Sequence, residues 1–185
     1  NIQYLIRKEL IKYQNIFKNK GSASILMDIN SGEILSLVSL PDFDLNKRIL
    51  ITDKNYINRA TKGVYELGSV FKTFTYAAGL SNGSIQPDTE FKNLEKKIYC
   101  SKFIIGEYDE KIPSNWTAEQ ILIRSGNIGS VRIAQKVGLE NFQKFLNDLG
   151  LLNTLDFDIE EIGTPLKINW GKCKLATSAY GHGVT

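Results

Sequence analysis

The segment VFKTFTYAAGL, Val70 to Leu80, restricts the fold more than any other part of the sequence, because it is apolar on nearly every side of the helix it would form. A helix without a polar face belongs in the middle of a domain, enclosed by other elements. Its one cation, Lys72, is carried into that interior with no opposite charge in the segment. The helical pattern opens at Ser69, just after Gly68, and stops at Asn82-Gly83. With 185 residues, 42% hydrophobic and 23% charged, the chain has enough apolar material to bury such a core. One domain is the expectation, with two small lobes as the alternative.

The enclosing layers can be read on either side. Ile2, Leu5, Ile6, Leu10, Tyr13 and Phe17 recur at threes and fours, with Arg7, Lys8, Glu9 and Lys12 between them, which predicts an amphipathic helix ending near Lys20-Gly21. SASILMDI and EILSLVSL read as two strands joined through Asn30-Ser31-Gly32, a hairpin able to cover that helix, and Pro41 closes the second strand. Residues 42–64 lack periodicity and read as an irregular crossing. FKNLEKKIYC, KFIIGEY and EKIPSNW read as a polar excursion of strands and turns. Thr117 and Gln120 fit a capping box ahead of a short helix, AEQILIR, and SGN, Ser125 to Asn127, separates it from a second helical run, IGSVRIAQKVG. LENFQKFLNDLG is an amphipathic helix with a glycine stop. A loop follows to about Trp170, and GKCKLATSAYG begins a last helix. No internal repeat or low-complexity tract is present.

Several function classes drop out. The net charge of +3 comes from 23 basic and 20 acidic residues spread along the chain without a basic block, so nucleic acid is not an expected partner. Cys100 and Cys173 lack CxxC spacing, and the single histidine, His182, has no second ligand near it, so neither a metal nor a cofactor is expected. Two unpaired thiols are the expectation for the cysteines, a disulfide the alternative, and the redox compartment stays open. No apolar run reaches bilayer length and no signal peptide is evident at the N-terminus, so the chain as given reads as soluble. It begins directly on a helical pattern without methionine and ends just after a glycine-rich turn, SAYGHGVT, and so reads as a piece of something longer.

Chemistry is concentrated in YELGSVFK, Tyr65 to Lys72. On a helix, Ser69 and Lys72 rise on one face a turn apart, close enough for an amine to take the hydroxyl proton. A hydroxyl at the start of a helix also sits among unpaired backbone N–H groups that stabilise an alkoxide or an oxyanion. Lys72 acts as a base only while neutral; its unperturbed pKa is about 10.4, and burial in an apolar helix would lower it. Ser-x-x-Lys alone is a weak signal, equally read as a helix with a serine cap. SGN adds a hydroxyl and an amide at a helix break, and is by itself also read as a turn of capping residues.

Taken together, NRATKGVYELGSVFKTFTYAAGL and, about fifty residues later, IRSGNIGSVRIAQKVG resemble the transpeptidase domain of class B penicillin-binding proteins, the septal cell-division type in particular. ASILMDINSGEILSLVSLPDFDLN is similar to the hairpin that precedes the nucleophile in that family, and ATSAYGHGVT to its glycine-rich turn. The resemblance covers nearly the whole chain. It implies an α/β (α+β) fold of the penicillin-binding-protein and serine β-lactamase kind, with an incomplete central antiparallel sheet and a helical subdomain. Residues 1–185 would be the N-terminal part of the transpeptidase domain, approximately 1–64 the helix and first hairpin, and 65–185 the mainly helical part with both motifs.

By the same resemblance Ser69 is the acylated serine, Lys72 its base, Ser125 a proton relay, and Asn127 a holder of Lys72 and of the substrate's amide; substrate contacts fall to Ser69, Ser125 and Asn127. The implied reaction cleaves a terminal D-Ala–D-Ala bond of a peptidoglycan stem peptide and passes the acyl group to an amine on a neighbouring strand. β-Lactams are the implied covalent inhibitors, cell-wall synthesis and division proteins the implied partners. The parent is expected to be anchored in the cytoplasmic membrane with this domain on its outer face. A serine β-lactamase, and a non-catalytic penicillin sensor or scaffold of the same fold, are the alternatives. Three departures stand out. Leu67 replaces the family's usual proline, Val70 its frequent threonine, and the third motif, Lys-Thr/Ser-Gly on a strand edge, is absent from the 185 residues. In the family that strand comes downstream of the GHGVT region, so truncation is the expected reason; an uncovered sheet edge would then favour self-association. His182 is read as structural and Cys100 is given no role.

Overall fold

The first amphipathic pattern folds as helix α1, Ile2–Phe17, in a computed structural model that describes residues 1–44, 46–48, 50, 54–109, 111–171 and 173–185. The Asn1 side chain caps it by accepting from the Gln3 N–H at 3.1 Å. Lys18, in the left-handed region at φ 53°, ends it a little before the expected Lys20-Gly21. Strands β1, Ser22–Met27, and β2, Ile34–Leu40, form the predicted antiparallel hairpin. Its turn closes on the Asp28 carboxylate, which accepts from the N–H groups of Asn30 and Ser31 at 2.8 and 2.9 Å, while Gly32 takes the φ of 76° the turn needs. Along β2 the alternate residues Ser36, Val38 and Leu40 point inward and are buried. Gln3 fastens α1 to β2: its amide donates to Leu37 O at 2.8 Å and accepts from Ser36 Oγ at 2.7 Å. This hairpin and helix belong to one compact unit, Asn1–Val64 with Leu155–Thr164. The later segment is tied in by Glu161, which accepts from the Asn58 N–H at 2.9 Å, and by the Gly163 N–H donating to Thr61 O at 2.7 Å. Of the irregular crossing expected over 42–64, a short 3-10 turn at Lys54–Tyr56 is seen, and residues 45, 49 and 51–53 lie outside the described ones.

The second unit, Tyr65–Thr154 with Pro165–Thr185, is built around the apolar helix. A 3-10 turn, Gly68–Phe71, leads into α2, Lys72–Ser81, so the α-helix proper begins three residues later than the periodicity from Ser69 predicts. Strands β3, Glu90–Phe91, β4, Lys97–Cys100, β5, Phe103–Gly106, and β6, Trp116–Thr117, form two small antiparallel pairs, β3 with β6 and β4 with β5. Helices α3, Ala118–Ile123, α4, Asn127–Val137, α5, Leu139–Asp148, and α6, Lys174–Ser178, complete the unit. The Thr117–Gln120 capping box is present in both directions.

Burial follows the sequence pattern. Phe71 and Ala78 pack with Val131 and Ala134 of α4 and with Phe142 and Leu146 of α5, all almost fully buried. Each such large side chain contributes about 1.5–3 kcal/mol by leaving water. A second cluster, including Ile85, Trp116, Ile121, Ile128 and Ile133, lies under α3 and α4. Gly129 lets those helices approach, since a Cβ there would meet Ile121 Cγ1 at 2.6 Å. Thr75, buried in α2, donates to Ala179 O at 2.8 Å and ties the central helix to the end of α6.

One expectation is corrected here. Cys100 and Cys173 are not free thiols but a disulfide joining the end of β4 to the residue before α6. The fold brings their Cα atoms to 5.5 Å across 73 positions of sequence, a non-local proximity that spacing does not reveal. Among the described residues no helix is long and apolar enough to cross a membrane.

Candidate active site

Ser69, Lys72, Ser125 and Asn127 line one cleft of about 440 Å³ in the second unit. Ser69 stands exposed in the 3-10 turn, and its hydroxyl makes no hydrogen bond among the described residues. Lys72, the first residue of α2, is 2% exposed and lines the same cleft. Its amine donates to Ser125 O at 2.5 Å, to Ser125 Oγ at 2.9 Å and to Asn127 Oδ1 at 2.7 Å. An ammonium has three N–H donors, so these partners satisfy it fully. Ser125 and Asn127 are thus both hydrogen-bonded to Lys72, and Ser69 shares their cleft.

Local backbone chemistry explains the arrangement. α3 ends at Ile123 with Arg124 as its C-cap, and Ser125 then takes a left-handed φ of 55°, unusual for a residue with a side chain and costing on the order of 1 kcal/mol. In that conformation both its carbonyl and its hydroxyl meet Lys72. Asn127 opens α4, and its amide is held from behind by Nδ2 donating to Gly106 O at 2.8 Å, which leaves Oδ1 for the lysine. Burial pushes the Lys72 pKa down from 10.5 to about 8, with the nearby Glu107 carboxylate acting against that fall. About a tenth of the amine is then neutral at pH 7, against less than a thousandth for an ordinary lysine.

Two carboxylates at the site carried no signal in the sequence. Glu107, just past β5, accepts from the N–H groups of Asn127 at 2.6 Å and Ile128 at 2.8 Å. Glu66 accepts from the Gly183 N–H at 2.6 Å and stands 3.4 Å from His182 Nδ1. His182 therefore has a carboxylate partner that its sequence neighbourhood does not show. Tyr180 stacks parallel to its ring, and burial, with Glu66 adding to it, pushes the Tyr180 phenol upward. The glycine turn carrying His182 sits hard against the serine turn: Gly68 N donates to Gly181 O at 3.3 Å, and a Cβ on Gly181 would lie 2.0 Å from Gly68 O.

Residues 22–185 match the family described as the penicillin binding protein transpeptidase domain. Over 99% of its length the chain is 32% identical to a probable peptidoglycan D,D-transpeptidase FtsI of Caulobacter vibrioides, and 29% identical to a probable peptidoglycan D,D-transpeptidase PenA of Neisseria flavescens. It spans 31% and 46% of the length of those two relatives. Its fold is similar to that of penicillin-binding protein 3 from Mycobacterium tuberculosis, solved with aztreonam, at a TM-score of 0.88 and 22% identity, covering 99% of this chain and 42% of that one.

Proposed function

The chain belongs to the penicillin-binding protein transpeptidase family, and from that premise we propose that it carries the nucleophile half of a serine D,D-transpeptidase acting on D-Ala–D-Ala stem peptides of peptidoglycan. The observation that carries this reading is the saturated Lys72 amine, buried in the cleft that an exposed Ser69 also lines and held by Ser125 and Asn127. Loss of one proton frees one of its three bonds. Of the three acceptors only the Ser125 hydroxyl can turn round and donate. Lys72 can then face Ser69 with its lone pair while Ser125 completes a proton path.

The steps follow. Neutral Lys72 takes the Ser69 proton as Oγ bonds to the carbonyl carbon of the penultimate D-Ala. The C–N bond to the terminal D-Ala breaks, and the proton reaches the departing amine through Lys72 and Ser125. The ester left on Ser69 is attacked by an amine of a neighbouring strand, which returns the serine hydroxyl. Asn127 orients Lys72 and meets the substrate amide. A β-lactam opens on Ser69 by the first half-reaction and, its amine remaining tethered, stays as the ester. The parent protein is proposed to be membrane-anchored, with this domain on the outer face and cell-wall synthesis and division proteins as partners.

The test uses a fluorescent penicillin, with the adduct followed by intact mass on this chain and on a form that includes a Lys-Thr/Ser-Gly strand. Labelling at Ser69 that survives for hours and vanishes in Ser69→Ala is expected for the strand-containing form. No label there, or equal label in Ser69→Ala, rejects Ser69 as nucleophile. Rapid loss of label would identify a hydrolase of the β-lactamase kind instead.

A further inference from the structure

Lys72 places a cation beside the N-terminus of α4, the electropositive end of an eleven-residue helix. That is the wrong end for an ammonium. Gly126, the residue capping α4, offers no side chain, so the first N–H groups of the helix would be unpaired and aimed outward. Glu107 supplies what is missing. Its two oxygens take the N–H groups of Asn127 and Ile128, one each, while the preceding residue, Gly106, takes the Asn127 side-chain amide through its carbonyl oxygen. Two adjacent residues at the end of β5 thereby hold both the backbone and the side chain of the asparagine that meets Lys72.

We propose that Glu107 is a positioning residue of this cleft: its carboxylate offsets the helix-end field acting on the Lys72 amine and fixes Asn127 against it. The proposal deepens the reading of Lys72 as general base and rests on it for its meaning in catalysis. When Lys72 receives the Ser69 proton, the new positive charge forms next to a helix terminus already neutralised by Glu107, so the base is a stronger proton acceptor than burial alone would leave it. The other charged or titratable groups lining the cleft, Glu66, Tyr108, Asp109, Arg124, Tyr180 and His182, make no hydrogen bond to Lys72 among the described residues. Glu107 is the charge that opposes the effect of burial on that amine.

The direct test is NMR titration of Lys72 in protein labelled at its lysine side chains, with the resonance assigned by its loss in Lys72→Met. Glu107→Gln keeps the size of the side chain and an acceptor oxygen but removes the charge, and is expected to move the Lys72 midpoint to lower pH by on the order of one unit. Glu107→Asp keeps the charge and is expected to hold the midpoint near the wild-type value. An unchanged or raised midpoint in Glu107→Gln overturns the proposal. So does a fall of about one unit below the wild-type midpoint in Glu107→Asp, a comparison with the wild type alone that can be read even if Glu107→Gln does not fold. In penicillin labelling of the strand-containing form, Glu107→Gln shifts the acid limb of the rate profile to lower pH and lowers the high-pH plateau. A purely structural role would depress the rate at every pH and leave the limb in place. If the wild type takes no label, the transpeptidase reading fails while the titration still decides the role of Glu107.

Discussion

At the scale of single residues, Lys72 sets stability against chemistry. The environment that makes its amine a usable base, with a pKa near 8, is one in which the charged form is held at a cost. The unfolded chain titrates this group near 10.5 and the folded chain near 8. Between those values the unfolded state binds more protons, so stability rises with pH across that window; below about 8 the cost is present in full. The difference in unfolding free energy between wild type and Lys72→Met should therefore grow in favour of the wild type from pH 7 to 10.5, by roughly 3 kcal/mol. Urea unfolding of both at several pH values measures it, and a flat difference would refute the depressed pKa. The four residues of the cleft were legible because the family resemblance matches two short motifs in order, each of which alone is a weak signal. Glu107 was not: it lies thirty-five positions past Lys72 at the end of a two-stranded hairpin, and no local spacing links a carboxylate there to the start of α4.

At the scale of elements, local chemistry was legible where the partners are near in sequence. The capping box at Thr117 and Gln120, the Asn30-Ser31-Gly32 turn and the amphipathic α5 all involve residues a few positions apart. The start of α2 was misplaced because apolar periodicity does not distinguish a 3-10 turn from an α-turn over four residues. What the glycine turn does was also hidden, since its neighbour is the serine turn more than a hundred positions away. Gly181, at φ 81°, has no room for a side chain: a Cβ would meet Gly68 O at 2.0 Å and Phe71 Cβ at 2.7 Å. Gly150 has a similar φ of 73° at the end of α5, but nothing lies within 4 Å of an added Cβ. Gly150→Ala should then lose only the left-handed penalty, about 1–2 kcal/mol. Gly181→Ala adds displacement of the serine turn and should lose about 3 kcal/mol or more. Urea midpoints of the pair decide whether close approach or backbone conformation governs Gly181, and equal losses would remove the close-approach account.

At the scale of the whole molecule, the apolar helix implies only an enclosed core, and the α/β fold of the penicillin-binding kind came from the family resemblance carried by the order and spacing of four segments. The cysteine pairing was misjudged, because with two cysteines the sequence gives composition but not proximity. In the structure the bridge spans 73 positions, from β4 to the start of α6, and so closes a loop containing most of the second unit's helices. A cross-link over a loop of that length removes about 4 kcal/mol of chain entropy from the unfolded state in the loop-closure account, and native disulfides of small domains are worth about 2–5 kcal/mol. Its two ends lead directly to the walls of the cleft. On one side β5 runs on to Gly106 and Glu107, which hold Asn127; on the other α6 runs on to Tyr180, Gly181 and His182, which pack against the serine turn. Replacing both cysteines by serine should thus lower the unfolding free energy by about 2–4 kcal/mol. A reducing agent should do the same to the wild type and nothing to the double variant. Guanidinium unfolding with and without the reductant makes the comparison, and a wild-type midpoint that does not move under conditions shown by mass to reduce the bond would mean that packing alone holds these walls.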